Sequence, residues 1–245
     1  HRDLHSFPTR RSSDLMKVDM LIPIDKSSYH ALVNYGFKKV YNLPNPLGYE
    51  VAKIIESYSN VNKQNREVLY VGHVIAAKGV YELIEACTKI PNIKLKIVGN
   101  ISDTMRTSLM DYAKQRTGEI EWLSIVGNMT RKDCLRTMKQ CSVFVLPSYT
   151  EGFPNVIIES MACGCSIVST PVGAIPEMLE INSNKPCGIV VPKKDSTSLR
   201  DAITRLLDDS EMAETIGKEA QKKVYEKYYI SSVWNQLTSI WTSVR

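Results

Sequence analysis

At 245 residues the chain can bury a substantial core as one large domain or two small ones. Its 43% apolar and 23% charged residues fit a folded globular protein and exclude disordered or collagen-like classes. The net charge of +5 is mild, and without basic-aromatic interleaving it speaks against nucleic acid, leaving solvation or a contact with anionic membrane surface.

Residues 1–15, HRDLHSFPTRRSSDL, show no apolar periodicity and lack the apolar centre of a signal peptide. They resemble translated adapter sequence and read as a non-native leader. Residues 16–45 offer one short helical segment, 27–35, and an extended stretch, 39–43. Pro44-Asn45-Pro46 then breaks the chain, because proline removes a donor and restricts the residue before it.

From Glu67 onward short apolar runs alternate with helical patterns, the mark of a doubly wound parallel sheet in an α/β fold. Strands are expected at 68–74, 93–98, 120–126, 143–146, 166–169 and 188–191. Their near-continuous apolar runs suit strands covered on both faces. Val80, Leu83, Ile84 and Cys87 make a helical stripe at i, i+3, i+4 and i+7. Leu199, Ala202, Ile203, Leu206 and Leu207 make another, opened by a cap at Asp195 or Ser196. After Asp209 the pattern stays helical to the end. In the last helix, 229–245, Val233, Leu237 and Ile240 form an apolar face with Trp234 and Trp241 beside them.

No window approaches 18 consecutive apolar residues, so no spanning helix is expected. The cysteines at 87, 134, 141, 163, 165 and 187 include one C-x-C but no zinc-ligand set. They read as reduced thiols in a cytoplasmic protein, and no metal site or cofactor is expected.

The segment Glu151-Gly-Phe-Pro-Asn-Val-Ile-Ile-Glu159 carries the chemistry. Glu151 falls in the loop after the fourth strand, and Glu159 about one turn into the following helix. Ligands of open α/β sheets sit at the carboxyl ends of strands, and the free amides of a helix start can take a phosphate. Carboxylates flanking a phosphate would repel it, so these two are expected to accept hydrogen bonds from hydroxyls. A phosphate centre with a polyol at each end describes a nucleotide sugar.

Glu151 to Glu159, followed by Ser-Met-Ala-Cys-Gly164 and Thr-Pro-Val-Gly-Ala-Ile-Pro-Glu177, resembles the family 4 retaining glycosyltransferases of the GT-B fold. The resemblance runs from about Asn45 to the C-terminus. It includes Gly72-His-Val-Ile-Ala-Ala-Lys-Gly79, Lys96-Ile-Val-Gly99, Ile125-Val-Gly127, Pro147-Ser148 and Gly188-Ile-Val-Val-Pro-Lys-Lys-Asp195. It implies the Rossmann-like C-terminal half of a GT-B enzyme, with residues 46–228 as the nucleotide-sugar domain and 229–245 as the helix that packs back across the N-terminal half. Residues 16–45 would be the tail of an acceptor-binding domain that is mostly missing.

The resemblance also implies roles. Lys78 would neutralise the donor diphosphate, aided by His73, which stands where the family carries arginine. Glu151 would position the donor sugar, with the amides of Gly152, Phe153, Asn155 and Val156 on hydroxyls and phosphate oxygens. Glu159 would accept from the ribose hydroxyls, and Gly127 and Asn128 would cradle the base. No D-x-D occurs, which fits a metal-independent transfer. The implied partners are a UDP- or GDP-sugar and a saccharide or lipid-linked acceptor of cell-surface polysaccharide synthesis, with peripheral contact at the inner membrane face left open. The rival readings are a nucleotide-sugar-binding module without transfer activity and a GT-B-fold epimerase.

Overall fold

The computed structural model describes residues 18–244, so the reading of 1–15 as a leader lies outside the described residues. Helices α1 (Lys26–Asn34) and α2 (Tyr49–Glu56) precede the sheet. The strands are β1 (Glu67–Val71), β2 (Lys94–Val98), β3 (Leu123–Gly127), β4 (Val143–Leu146), β5 (Ser166–Ser169) and β6 (Ile189–Val190). Parallel neighbours need crossovers. These are α3 (Val80–Cys87), α4 (Asp103–Thr117), α5 (Arg131–Gln140), α6 (Asn155–Ala162) and the short α7 (Ile175–Met178). Helices α8 (Ser196–Asp208), α9 (Ser210–Lys223) and α10 (Ile230–Val244) close the chain.

All strand pairs are parallel, in the order β3-β2-β1-β4-β5-β6. The chain winds outward from β1 to one edge and then returns to lay β4 on the other side of β1. The crevice between β1 and β4 is therefore the point where the winding reverses, the ligand position of open α/β sheets.

Every residue of β4 and β5 is buried, as their apolar runs require, and Tyr70 of β1 and Phe144 of β4 are among the largest fully buried side chains. Burial of each such side chain contributes about 1.5–3 kcal/mol. The edge strand β3 keeps Ser124 and Val126 exposed, so two-sided coverage holds only in the centre.

Three strands are shorter than the apolar runs suggest. β1 stops at Val71, although Gly72 and Val74 still donate to Val98 (3.0 Å) and Asn100 (2.9 Å). Residues 120–122 form a turn, with the Leu123 amide donating to Ile120 at 2.9 Å, although the Trp122 carbonyl still accepts from the Leu95 amide of β2 at 2.7 Å. β6 keeps two residues, and the Val191 amide still donates to Ser169 at 2.9 Å.

Helix starts follow the capping residues. Asp195, not Ser196, caps α8, accepting from the amides of Thr197 (3.1 Å) and Ser198 (2.9 Å). Thr130 caps α5 reciprocally with Asp133. The segment before the sheet is closed on itself by a bridge of Leu21 to Val40 and tied to the rest where Leu47 bridges Tyr229 and Lys26 pairs with Glu177 at 3.3 Å. Val233 of α10 is buried, whereas Trp234 and Trp241 are exposed. Among the described residues, no helix is long and apolar enough to cross a membrane.

Candidate functional site

The loop leaving β1 and the loop leaving β4 meet across the reversal point. Lys78, in a 3-10 turn of the first loop, places its Nζ 2.6 Å from Oε1 of Glu151 in the second. Ser148 Oγ donates to the same oxygen at 2.6 Å. The two charged side chains are only 22% and 12% exposed, so water screens this pair less than a surface bridge.

Backbone and buried side chains fix both loops. The fully buried Tyr70 donates its hydroxyl to the His73 carbonyl at 2.8 Å. Burial lifts the Tyr70 phenol well above its usual range, and the Glu151 charge adds to the lift. That phenol stays a donor at any physiological pH. The Tyr149 amide donates to the Ala77 carbonyl at 2.9 Å, binding one loop to the other. The Tyr149 hydroxyl donates to Glu82 in the first turn of α3.

Pro154 occupies the cap position of α6, with φ −76° and ψ 106°, rather than the first helical position its ring would also suit. The amides of Gly152, Phe153, Asn155 and Val156 donate to no atom among the described residues. They stand at the positive end of an eight-residue helix, where an anion is favoured. The Phe153 ring lies edge-on to Tyr228, centroids 6.2 Å apart. Asn155 accepts from Asn45 at 3.1 Å, so the Pro-Asn-Pro break reaches the site.

Glu159 lies one turn further along α6 and pairs with Arg131 at 3.1 Å, at the first turn of α5. The Arg131 side chain is 64% exposed and that of Glu159 only 16%. Burial raises the Glu159 carboxyl above the usual range, and Arg131 opposes this without cancelling it. The folded state thus holds this proton more tightly than the unfolded chain. Stability from this group is greatest below the ordinary carboxylate range and declines as pH rises through it. Glu159→Gln is accordingly expected to melt higher than the wild type at pH 7.5, by roughly 1–3 °C for a change under ~1 kcal/mol. The gap should close at about pH 3.5, below the ordinary value of ~4.3. Thermal melts at both pH values check this, and a Gln variant less stable at pH 7.5 would contradict it.

The remaining expected members are less tightly gathered. Gly127 ends β3, and its carbonyl accepts from the Gly99 amide at 2.8 Å, while Asn128 beside it is exposed. His73 sits on the β1 loop as expected, but it is exposed and its imidazole joins no hydrogen bond or ion pair among the described residues. Sequence reasoning gave no role to Ser148, Arg131, Tyr70 or Tyr149. Ser148 was visible in the Pro147-Ser148 match and Tyr70 acts three residues along its own chain, whereas Arg131 and Tyr149 emerge only from the way distant elements pack.

The family model described as Glycosyl transferases group 1 matches residues 52–223. The capsular polysaccharide biosynthesis glycosyltransferase CapM of Staphylococcus aureus is 29% identical over 196 residues, 78% of this chain and 50% of that protein. The N,N'-diacetylbacillosaminyl-diphospho-undecaprenol alpha-1,3-N-acetylgalactosaminyltransferase of Campylobacter jejuni is 28% identical over 190 residues, 77% of this chain and 47% of that protein. The chain thus spans about half the length of these curated relatives. Sucrose-phosphate synthase from Thermosynechococcus elongatus shares the fold with a TM-score of 0.80 at 23% identity, over 96% of this chain and 60% of that one. Anabaena Alr3699/HepE, solved with UDP and glucose, does so with a TM-score of 0.76 at 19% identity, over 96% and 66% of the two chains.

Proposed function

The chain belongs to the glycosyl transferases group 1 family, and from that premise we propose that it binds a nucleotide sugar between the β1 and β4 loops for retaining transfer to an acceptor hydroxyl. The carrying observation is the meeting of Lys78 and Glu151 at the reversal point, beside four undonated amides.

In this reading Lys78 and the amides of Gly152, Phe153, Asn155 and Val156 take the diphosphate. They stabilise the negative charge that grows on it as the glycosidic bond breaks. Glu151 and Glu159 accept hydrogen bonds from the sugar and ribose hydroxyls. Gly127 and Asn128 border the base. In keeping with the resemblance to retaining transferases, the acceptor attacks from the face the diphosphate leaves, and the leaving phosphate oxygen takes its proton. Residues 46–228 would form this donor-binding unit. The names of the Staphylococcus and Campylobacter relatives support a saccharide or lipid-linked acceptor of cell-surface polysaccharide synthesis, which would bring the protein to the membrane surface. UDP in the Anabaena structure supports a uridine nucleotide over a guanosine one.

Calorimetric titration with UDP, GDP and ADP tests the reading. One of them is expected to bind with Kd of about 0.1–1 mM, or ~4–5.5 kcal/mol. A folded chain that binds none at millimolar ligand would overturn it.

A further inference from the structure

Lys78 is already engaged before any ligand arrives. Its ammonium lies 2.6 Å from Glu151 Oε1, in a pair mostly shielded from water. A diphosphate entering the β1 loop therefore meets a cation whose charge is largely neutralised, and a carboxylate beside it. Ser148 Oγ is fully buried and also holds Oε1 at 2.6 Å. The carboxylate would thus keep its orientation if Lys78 turned away. Oε2 has no partner among the described residues.

We propose that Glu151 favours the intact nucleotide sugar over the free nucleoside diphosphate by competing with the diphosphate for Lys78. This deepens the donor-site reading and rests on it. A free diphosphate draws Lys78 off and leaves the carboxylate with Ser148 alone, close to a second anion. An intact donor draws Lys78 off as well, but its sugar hydroxyls donate to the carboxylate in replacement. Once the sugar has left, the pair can re-form and help to expel the product. Arg131 and Glu159 do not repeat this arrangement, because Arg131 is mostly exposed and its attraction is screened.

The test is calorimetric titration at pH 8 and fixed ionic strength of the wild type, Glu151→Gln, Lys78→Ala and the double variant. The ligands are UDP, GDP, ADP, UDP-glucose, UDP-N-acetylglucosamine, GDP-mannose and ADP-glucose, with melting curves confirming that each variant folds. Glu151→Gln is expected to bind the preferred nucleoside diphosphate about 5–10-fold more tightly, the scale of one ordinary net hydrogen bond. It should lose affinity for the matching nucleotide sugar. The gain must vanish in the Lys78→Ala background, since there is then no cation to compete for. Ser148→Ala should weaken the nucleoside diphosphate more than the nucleotide sugar, because only the former then leaves the carboxylate with no partner, a split that general loosening would not produce. A Glu151→Gln variant binding nucleoside diphosphate no more tightly would overturn the proposal while leaving the donor site standing. So would a gain that persists without Lys78, which would report general relief of charge. A wild type that binds no nucleotide would remove the donor site, and this proposal with it.

Discussion

Gly79→Ala is expected to destabilise the chain by about 2–4 kcal/mol and to separate the two loops that build the site. Gly79 has φ +71°, a left-handed conformation that an L side chain adopts at a cost. A Cβ there would lie 2.9 Å from the Pro147 carbonyl carbon and closer still to its oxygen. Both atoms are backbone at the end of β4, so no rotamer change relieves the contact. Either the Lys78 turn or the Pro147-Ser148 segment must move, and the move would carry Lys78 away from Glu151. Urea unfolding of the wild type and the variant checks the loss. A variant within 0.5 kcal/mol of the wild type, the scale of an ordinary surface change, would show that the loops are not locked together here.

Lys78→Ala is expected to weaken nucleoside diphosphate binding by roughly 1.5–3 kcal/mol, the range of a charge-assisted hydrogen bond. At pH 8 His73→Ala should change it little. The exposed His73 ring has no partner among the described residues to orient it. Lys78 in contrast is held by Glu151 at the reversal point. Titrations of both variants at pH 8 decide the matter, and equal losses would contradict this ranking of the two side chains.

The alternation of apolar runs and helical stripes made the parallel α/β class legible, and the β4 and β5 runs match their strands residue for residue. Runs overestimate strands where a turn adjoins them without a change in hydropathy. Residues 120–122 are apolar enough to read as strand, yet the Leu123 amide closes a turn there. The strand order lay beyond the sequence pattern, because nothing in β4 says that it pairs with β1 rather than extending the β3 edge. Only that pairing turns Lys78 and Glu151, 73 positions apart, into neighbours. Arg131 was illegible for the same reason. It is a first-turn residue of one helix that matters through another helix, and no spacing within a single element announces such a contact. Pro154 shows a smaller limit: proline suits both the cap and the first helical position, and only the dihedrals choose.

The most direct test of the donor site is an amide chemical-shift map of the 15N-labelled chain titrated with UDP and GDP. The account predicts the largest shifts at residues 73–79 and at Gly152, Phe153, Asn155 and Val156, with smaller ones near Gly127. The outer face of α4, from Asp103 to Gln115, should stay silent. Shifts centred on α4 or α10, with the β1 and β4 loops unmoved, would contradict it.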